Sequence, residues 1–167
     1  MDRRLDELSS LLGRALAARG WRLATAESCS GGLLAGAVTT TPGSSAWFER
    51  GFVTYSNESK AELLGVDLAT LARYGAVSEE TAREMADGAI NHSHADVAIA
   101  ITGIAGPDGG SATKPVGTVW LAWRKRHGNG GAQTHCFPGD REAIRLRVVT
   151  AALERLIALA EAGEGLQ

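Results

Sequence analysis

The segment from Asp96 to Thr102 constrains the fold of this chain most, because it predicts a strand that is buried on both faces. Residues 97–101 are all valine, alanine or isoleucine, without the polar alternation of a half-exposed strand. A strand of this kind needs a covering layer above and below it. The segment ends directly in the glycine-rich residues 103–110, so the chain leaves the sheet through an unusual loop.

Helix-type and strand-type patterns alternate along the rest of the chain. Leucines repeat at helical spacing before Gly20, which predicts a helix over residues 3–19. Further helices are predicted over residues 33–38, 58–66, 67–74, 79–91 and 140–162, with Asn57 and Ser78 as N-caps. Strands are predicted over residues 21–26, 48–56, 96–102, 116–124 and 133–137.

This alternation favours an α/β layered fold with a largely parallel sheet and helices on both faces. The 167 residues suit one domain, with a core over about 5–162 and a disordered tail at 163–167. Such sheets carry their sites in loops beyond the carboxyl ends of the strands. The loops to examine are therefore residues 27–32, 54–60 and 102–118.

Composition excludes several classes of protein. The net charge is −2, with 17 basic against 19 acidic residues, which argues against a nucleic-acid-coating protein. No apolar run reaches the ~18 residues of a membrane helix, and the charged N-terminus does not resemble a signal peptide, so we expect a cytoplasmic protein that does not enter a membrane. Two cysteines cannot build a disulfide framework. His92, His94 and Asp96 lack the spacing of a metal site, and we expect no metal.

The first loop places three candidate nucleophiles between a predicted strand and a predicted helix: Ser28, Cys29 and Ser30. N–H groups at a helix N-terminus can stabilise a developing oxyanion beside such a nucleophile. The serines could equally cap the helix while Cys29 packs as a small apolar side chain. Gly31 and Gly32 favour the functional interpretation, since glycines weaken a first helical turn and permit close approach of a ligand.

The second loop contains Lys60, a candidate base for an activated serine. The four histidines lie outside the three loops, and the chain has only three lysines against fourteen arginines. Arginine does not deprotonate in proteins, whereas burial can bring the pKa of a lysine from ~10.4 down to ~7–8. A solvated lysine on a helix surface explains Lys60 equally well.

The third loop is the densest glycine run in the chain, and it lacks the Gly-Lys-Ser/Thr end of a Walker A motif. Its position after a buried strand suits a loop that lies over a nucleotide or a sugar. The glycines concerned are Gly103, Gly106, Gly109, Gly110 and Gly117.

Two arginines near the start of the last helix could clamp a phosphate. Arg141 and Arg145 share one helix face at i,i+4 spacing. Ion pairing with Asp140 and Glu142 is an equally good explanation of both.

Six segments, taken in order, closely resemble the CinA C-terminal domain family. They cover roughly residues 5–160: TAESCSGG, GSSAWFERGFVTYSNESKAELLGV, YGAVSEETAREMADGA, ITGIAGPDGG, KPVGTVW and FPGDREAIR. One departure is Ser30, where the family usually has threonine in a Thr-Gly-Gly pattern, although a hydroxyl is retained. The resemblance implies a single-domain three-layer α/β/α sandwich with a mixed sheet, and self-association into a homo-oligomer.

The resemblance also implies an amidohydrolase that acts on a linear amide without a cofactor. Its substrate would be nicotinamide mononucleotide, whose carboxamide is hydrolysed to give nicotinate mononucleotide and ammonia in pyridine nucleotide (NAD) recycling. The alternative is a non-catalytic nucleotide-binding or regulatory module with the same pocket. A role on nucleic acid is opposed by the acidic net charge.

The family's serine–lysine dyad falls on Ser28 and Lys60, which selects Ser28 among the three candidate nucleophiles. Neutral Lys60 would take the proton of Ser28 during attack, and an acyl-enzyme would follow. Tyr55 would orient the lysine or donate a hydrogen bond. The oxyanion and the substrate would be bound by Ser30, Gly31, Gly32, Thr102, Gly103, Gly106 and Arg141 or Arg145.

Overall fold

Five strands form one sheet within the part of the chain that the computed structural model describes, residues 2–162. The predicted tail at 163–167 lies outside the described residues. The spatial order of the strands is β2-β1-β3-β4-β5. In chain order they are β1 Leu23–Glu27, β2 Phe48–Val53, β3 Val97–Gly103, β4 Thr118–Lys125 and β5 Gly130–Cys136.

The sheet is mixed. Strand β1 runs parallel to β2 and β3, whereas β4 runs antiparallel to both β3 and β5. Four strands therefore point in one direction and β4 points in the other. In the register of β1, Glu27 is opposite Val53 on one side and Ile101 on the other, so the three parallel strands end together. The loops that follow these strands meet at one edge of the sheet.

Helices cover both faces of the sheet, which confirms the predicted α/β class. Helices α1, α2 and α6 pack together against one face, and α3, α4 and α5 lie on the other. Their bounds are α1 Arg3–Arg19, α2 Leu33–Val38, α3 Asn57–Leu64, α4 Leu68–Tyr74, α5 Glu79–Asn91 and α6 Arg141–Glu161, with a 3-10 turn at Ser44–Ala46.

The two faces of the sheet carry side chains of different size. Val97, Ile99 and Ile101 of β3 pack toward α1 and α6, whereas Ala98 and Ala100 face α5. Alanine leaves little side chain between the sheet and the helix, so α5 can lie close to it. Helices on both faces therefore bury β3, which confirms the predicted two-sided burial.

Several predicted boundaries differ from those observed. Strand β2 ends at Val53 instead of residue 56, and Ser56, not Asn57, is the N-cap of α3, with its hydroxyl accepting from the amide of Ser59. Strand β5 begins at Gly130, earlier than the predicted residue 133. A Cβ on Gly131 would meet the ring of Trp123 at 2.6 Å, so this glycine is a strand residue beneath an aromatic ring and not part of a turn.

No helix among residues 2–162 is long and apolar enough to cross a membrane.

Candidate active site

A cleft of about 280 Å³ opens at the edge where the three parallel strands end. Its volume is near the lower end of the ~300–1,000 Å³ usual for small-molecule sites. Residues from all three predicted loops and from the start of α6 line it. The lining side chains with polar or titratable groups are Ser28, Cys29, Tyr55, Lys60, Thr102, Asp108 and Arg141.

Ser28 directly follows the last residue of β1 and is 8% exposed. Its amide donates to the carbonyl of Ile101 at 3.0 Å, which ties it to β3 beyond the end of the ladder. Its carbonyl accepts from the amide of Gly31 at 3.0 Å, which closes the turn into α2. The hydroxyl is thus presented to the cleft by a backbone that is fixed on both sides.

Lys60 lies in α3 and is 1% exposed, so the surface alternative for this lysine is wrong. Its Nζ is 2.9 Å from Ser28 Oγ, 2.8 Å from the carbonyl of Thr54 and 3.2 Å from the carbonyl of Tyr55. The two carbonyls belong to the segment between β2 and α3. The amine therefore has three fixed oxygen neighbours, and one of them is the serine hydroxyl.

Burial lowers the pKa of Lys60, because the charged ammonium loses its hydration in this environment. Within residues 2–162, no carboxylate forms an ion pair or hydrogen bond with this amine that would favour the charged form. A lysine with a lowered pKa has a larger neutral fraction near neutrality and can accept a proton.

Cys29, the alternative nucleophile, is buried and packs in the core beneath α2 and α6. Burial raises the pKa of its thiol to about 11, since the thiolate would be poorly hydrated there. The thiol is therefore protonated at neutral pH, and the environment disfavours it as the nucleophile.

The turn after Ser28 requires glycine for its backbone conformation. Gly31 and Gly32 have φ of 59° and 99°, in the left-handed region that favours glycine. A Cβ atom on Gly31 would lie 3.4 Å from its nearest neighbour and one on Gly32 3.5 Å, so space alone does not require glycine. This conformation is a second reason for glycine at both positions, and the close approach of a ligand stays a prediction. Within residues 2–162 the amides of Ser30 and Gly32 donate to no protein atom, whereas that of Gly31 is used by Ser28.

Glu27 stabilises this turn through hydrogen bonds, and the sequence analysis did not select it as a site residue. Its side chain is fully buried, and its two carboxylate oxygens accept from the amides of Leu34 and Ala35 at 2.8 and 3.0 Å. Its carbonyl accepts from the amide of Thr54 at 2.8 Å. One residue thus fixes the start of α2 and the segment that contacts Lys60. The only sequence signal was an acidic residue at the end of an otherwise apolar strand.

The glycine loop after β3 is folded closely upon itself. A Cβ on Gly106 would lie 2.4 Å from Val116, and one on Gly103 would lie 2.7 Å from Val119. The amide of Gly117 donates to the carbonyl of Ile104 at 2.8 Å. These glycines are required by contacts within the protein, which the sequence analysis did not foresee.

Arg141 joins the glycine loop to the second loop. Its Nη1 donates to the carbonyl of Gly106 at 2.7 Å, and its Nη2 donates to the hydroxyl of Tyr55 at 3.0 Å. Tyr55 is 61% exposed at the mouth of the cleft. Arg145 instead donates to the carbonyl of Ser30 at 3.0 Å. Among residues 2–162 neither guanidinium pairs with a carboxylate, so the ion-pair alternative is not observed.

The structure brings most of the predicted site residues to one cleft. Ser28, Lys60, Tyr55, Thr102, Gly103, Gly106 and Arg141 line it. Ser30, Gly31, Gly32 and Arg145 are outside the lining and lie in or behind the turn. The hydroxyl of Thr102 donates to the carbonyl of Ala76 at 2.8 Å, which anchors the segment before α5 to this edge.

No three His, Cys, Asp or Glu side chains among residues 2–162 come together in an arrangement that could hold a metal ion.

The sequence profile of the CinA C-terminal domain matches residues 5–160. The chain belongs to the CinA C-terminal domain family. Five of the six segments that carry the resemblance contribute residues to the cleft lining, and KPVGTVW does not.

Members of this family are similar to the chain over nearly its whole length. Nicotinamide-nucleotide amidohydrolase PncC of Escherichia coli (strain K12) is 55% identical over 155 residues, which are 93% of this chain and 94% of that protein. PncC of Pseudomonas putida is 50% identical over 158 residues, with 93% and 96% covered. The crystal structure of the competence/damage inducible protein CihA from Agrobacterium tumefaciens matches with a TM-score of 0.94 at 48% identity, covering 96% and 98%.

Proposed function

We propose that this protein is a nicotinamide-nucleotide amidohydrolase that converts nicotinamide mononucleotide and water to nicotinate mononucleotide and ammonia. The observation that carries the proposal is the buried contact of 2.9 Å between Ser28 Oγ and Lys60 Nζ, at the floor of a cleft. The PncC relatives, whose name states this activity, are up to 55% identical over 93% of the chain, which supports the same substrate.

The three neighbours of Lys60 determine where its lone pair points. A neutral amine has two hydrogens, and the carbonyls of Thr54 and Tyr55 accept both. The lone pair is then directed at Ser28 Oγ. Lys60 accepts the serine proton as the oxygen attacks the carboxamide carbon, and it returns that proton to the departing nitrogen, which leaves as ammonia.

Water completes the cycle. Lys60, neutral again, takes a proton from a water molecule that attacks the ester carbon of the acylated Ser28. The bond from carbon to Ser28 Oγ breaks, and Lys60 returns the proton to this oxygen. The product is the carboxylic acid, which loses its proton to solvent to give the carboxylate, and both side chains recover their starting states.

The oxyanion that forms in each step needs hydrogen-bond donors. The amides of Ser30 and Gly32 are the candidates in the turn, because neither donates to another atom of residues 2–162. The amide of Gly31, which the sequence analysis also proposed, already donates to Ser28. We assign the phosphate to Arg141 instead of Arg145, since Arg141 lines the cleft and Arg145 does not.

Ammonia release from nicotinamide mononucleotide tests the proposal. We expect turnover by the wild-type protein in the presence of a chelator, and a loss of ~10³-fold or more in kcat for Ser28→Ala and Lys60→Arg, because each removes one partner of the proton transfer. Binding of the substrate, measured by calorimetry, should be retained by Ser28→Ala.

Cys29→Ala is the matched control, since it changes the neighbouring side chain in the same cleft. It should keep most of the activity. An inactive Cys29→Ala together with an active Ser28→Ala would assign the nucleophile to the thiol. A wild-type protein that binds the nucleotide without releasing ammonia would instead be the non-catalytic nucleotide-binding module.

A further inference from the structure

We propose that Asp108 determines specificity for the ribose of the nucleotide by accepting hydrogen bonds from its 2′- and 3′-hydroxyl groups. This assignment rests on the proposed function for the identity of the substrate. It concerns a side chain that the sequence analysis did not select and that takes no part in the proton transfers above.

Asp108 supplies a carboxylate to a cleft whose other polar side chains can all donate hydrogen bonds. It lies in the lining together with Arg141 and Lys60. Among the described residues, no hydrogen bond or ion pair involves its carboxylate, and Arg141 donates elsewhere. An ionised carboxylate only accepts hydrogen bonds. Its oxygens are therefore available to hydroxyl groups of a ligand.

The loop that carries Asp108 is held in place by contacts that need no ligand. Arg141 donates to the carbonyl of Gly106, two residues before Asp108. The amide of Ser111, three residues after it, donates to the carbonyl of Lys114 at 2.8 Å. A side chain on a loop fixed at both ends is presented in advance of binding, which lowers the entropic loss on association.

The contacts of its loop place Asp108 near the guanidinium proposed for the phosphate. Lys60 contacts the backbone of Tyr55, and the hydroxyl of Tyr55 contacts Arg141. The amide-cleaving pair and the guanidinium are thus separated by about one tyrosine side chain. Asp108 belongs to the loop that Arg141 holds, so it lies toward the phosphate end. In the substrate, the ribose is the group that carries the phosphate, so a side chain near the phosphate site is within reach of the ribose hydroxyls.

In dinucleotide-binding sites, an Asp or Glu carboxylate commonly accepts a hydrogen bond from a ribose hydroxyl. Hydrogen bonds to charged groups are stronger than those between neutral groups, although exposure of Asp108 to solvent reduces the gain. We therefore expect an effect of about tenfold on affinity.

The experiment measures the Kd of nicotinate mononucleotide, which has no amide to cleave, and of its 2′,3′-dideoxy analogue by calorimetry. The proteins are the wild type, Asp108→Asn and the control Glu58→Gln, which removes a negative charge from an exposed position of α3 outside the cleft lining. Asp108→Asn should weaken binding of the ribonucleotide about tenfold and leave that of the dideoxy analogue unchanged. Glu58→Gln should change neither.

Two results would overturn the assignment. Equal weakening of both ligands by Asp108→Asn would mean that the carboxylate acts on the charged ring or on the loop and not on the hydroxyls. Unchanged binding of both ligands by Asp108→Asn, or no binding of the ribonucleotide by the wild type, would mean that Asp108 does not bind the ribose hydroxyls. Ammonia release by the wild type is measured separately, so failure of the amidohydrolase proposal would be distinguished from failure of this one.

Discussion

Lys60 combines deep burial with full use of its hydrogen-bonding positions. A lysine without solvent and without a carboxylate partner is unusual, because transfer of an ammonium out of water is costly unless the charge is compensated. Here the compensation comes from two carbonyls and a hydroxyl. The environment tolerates the charged form and also suits the neutral amine.

The pH dependence of kcat/KM follows from the lowered pKa of Lys60. The amine must be neutral to accept the proton of Ser28, so activity should rise with pH through the pKa of Lys60, with a midpoint below the 10.5 of an ordinary lysine. A pH–rate profile with nicotinamide mononucleotide checks this. Activity that falls as pH rises from 6 to 9 would contradict the assignment of Lys60 as the base.

Glu27 offers a second test at the level of a single side chain. Glu27→Gln replaces one of two acceptors by an NH₂ group that faces the amide of Leu34 or Ala35. We expect a loss of about 1–3 kcal/mol in the free energy of unfolding, as for a buried group left without its partner. Urea denaturation measures it.

The same variant should also lower kcat, because the carboxylate of Glu27 holds the start of α2, which follows the turn that carries Ser28. The matched control is Glu62→Gln on the exposed surface of α3, which should alter neither quantity. Full activity of folded Glu27→Gln at a temperature where both proteins are native would show that Glu27 contributes to stability alone.

At the scale of elements, the position of Lys60 depends on how α3 packs against α5. Gly88 of α5 is buried, and a Cβ at this position would lie 1.9 Å from the carbonyl oxygen of Leu64, in the last turn of α3. Leu64 is one helical turn beyond Lys60. Gly88 has a low helix propensity, but its lack of a side chain allows α3 and α5 to pack at this distance.

Gly88→Ala should separate these helices and disturb both stability and activity. We expect the free energy of unfolding to fall by about 1–3 kcal/mol, as in overpacked cores, although alanine has the better helix propensity. Kcat should fall as well, since α3 carries the base. Asn91→Ala, at an exposed position of the same helix, is the control for urea denaturation and turnover. A Gly88→Ala protein more stable than the wild type would contradict the close packing.

At the scale of the whole molecule, the sequence predicted the layers better than the direction of the strands. The apolar run of β3 and the alternating patterns were sufficient for an α/β fold, because each pattern reflects local burial. The reversal of β4 depends on pairing between distant segments, which periodicity does not encode. The same applies to β5, whose first residues were not predicted as part of the strand because glycine has a low strand propensity.

The site was predictable to a similar extent. Converging strand ends and the few lysines among many arginines made Ser28, Cys29, Ser30 and Lys60 candidates, and the family resemblance selected Ser28 with Lys60. Glu27 and Asp108 were missed, since their roles depend on which backbone amides and which cleft they face. Packing within the glycine loop has no sequence signature, so the contacts that require these glycines were not predicted, and their proposed approach to a nucleotide stays a prediction. Self-association, which the family resemblance implied, stays a prediction.

Burial of Lys60 also determines when its hydration is lost. In the unfolded chain the amine is an ordinary hydrated lysine, whereas in the native protein it has left bulk water before any nucleotide arrives. At pH values between its native and unfolded pKa, folding itself releases the proton. The dehydration that makes the proposed base reactive thus accompanies folding and precedes every turnover. Substrate binding energy need not dehydrate the amine again and can serve to hold the amide against the serine.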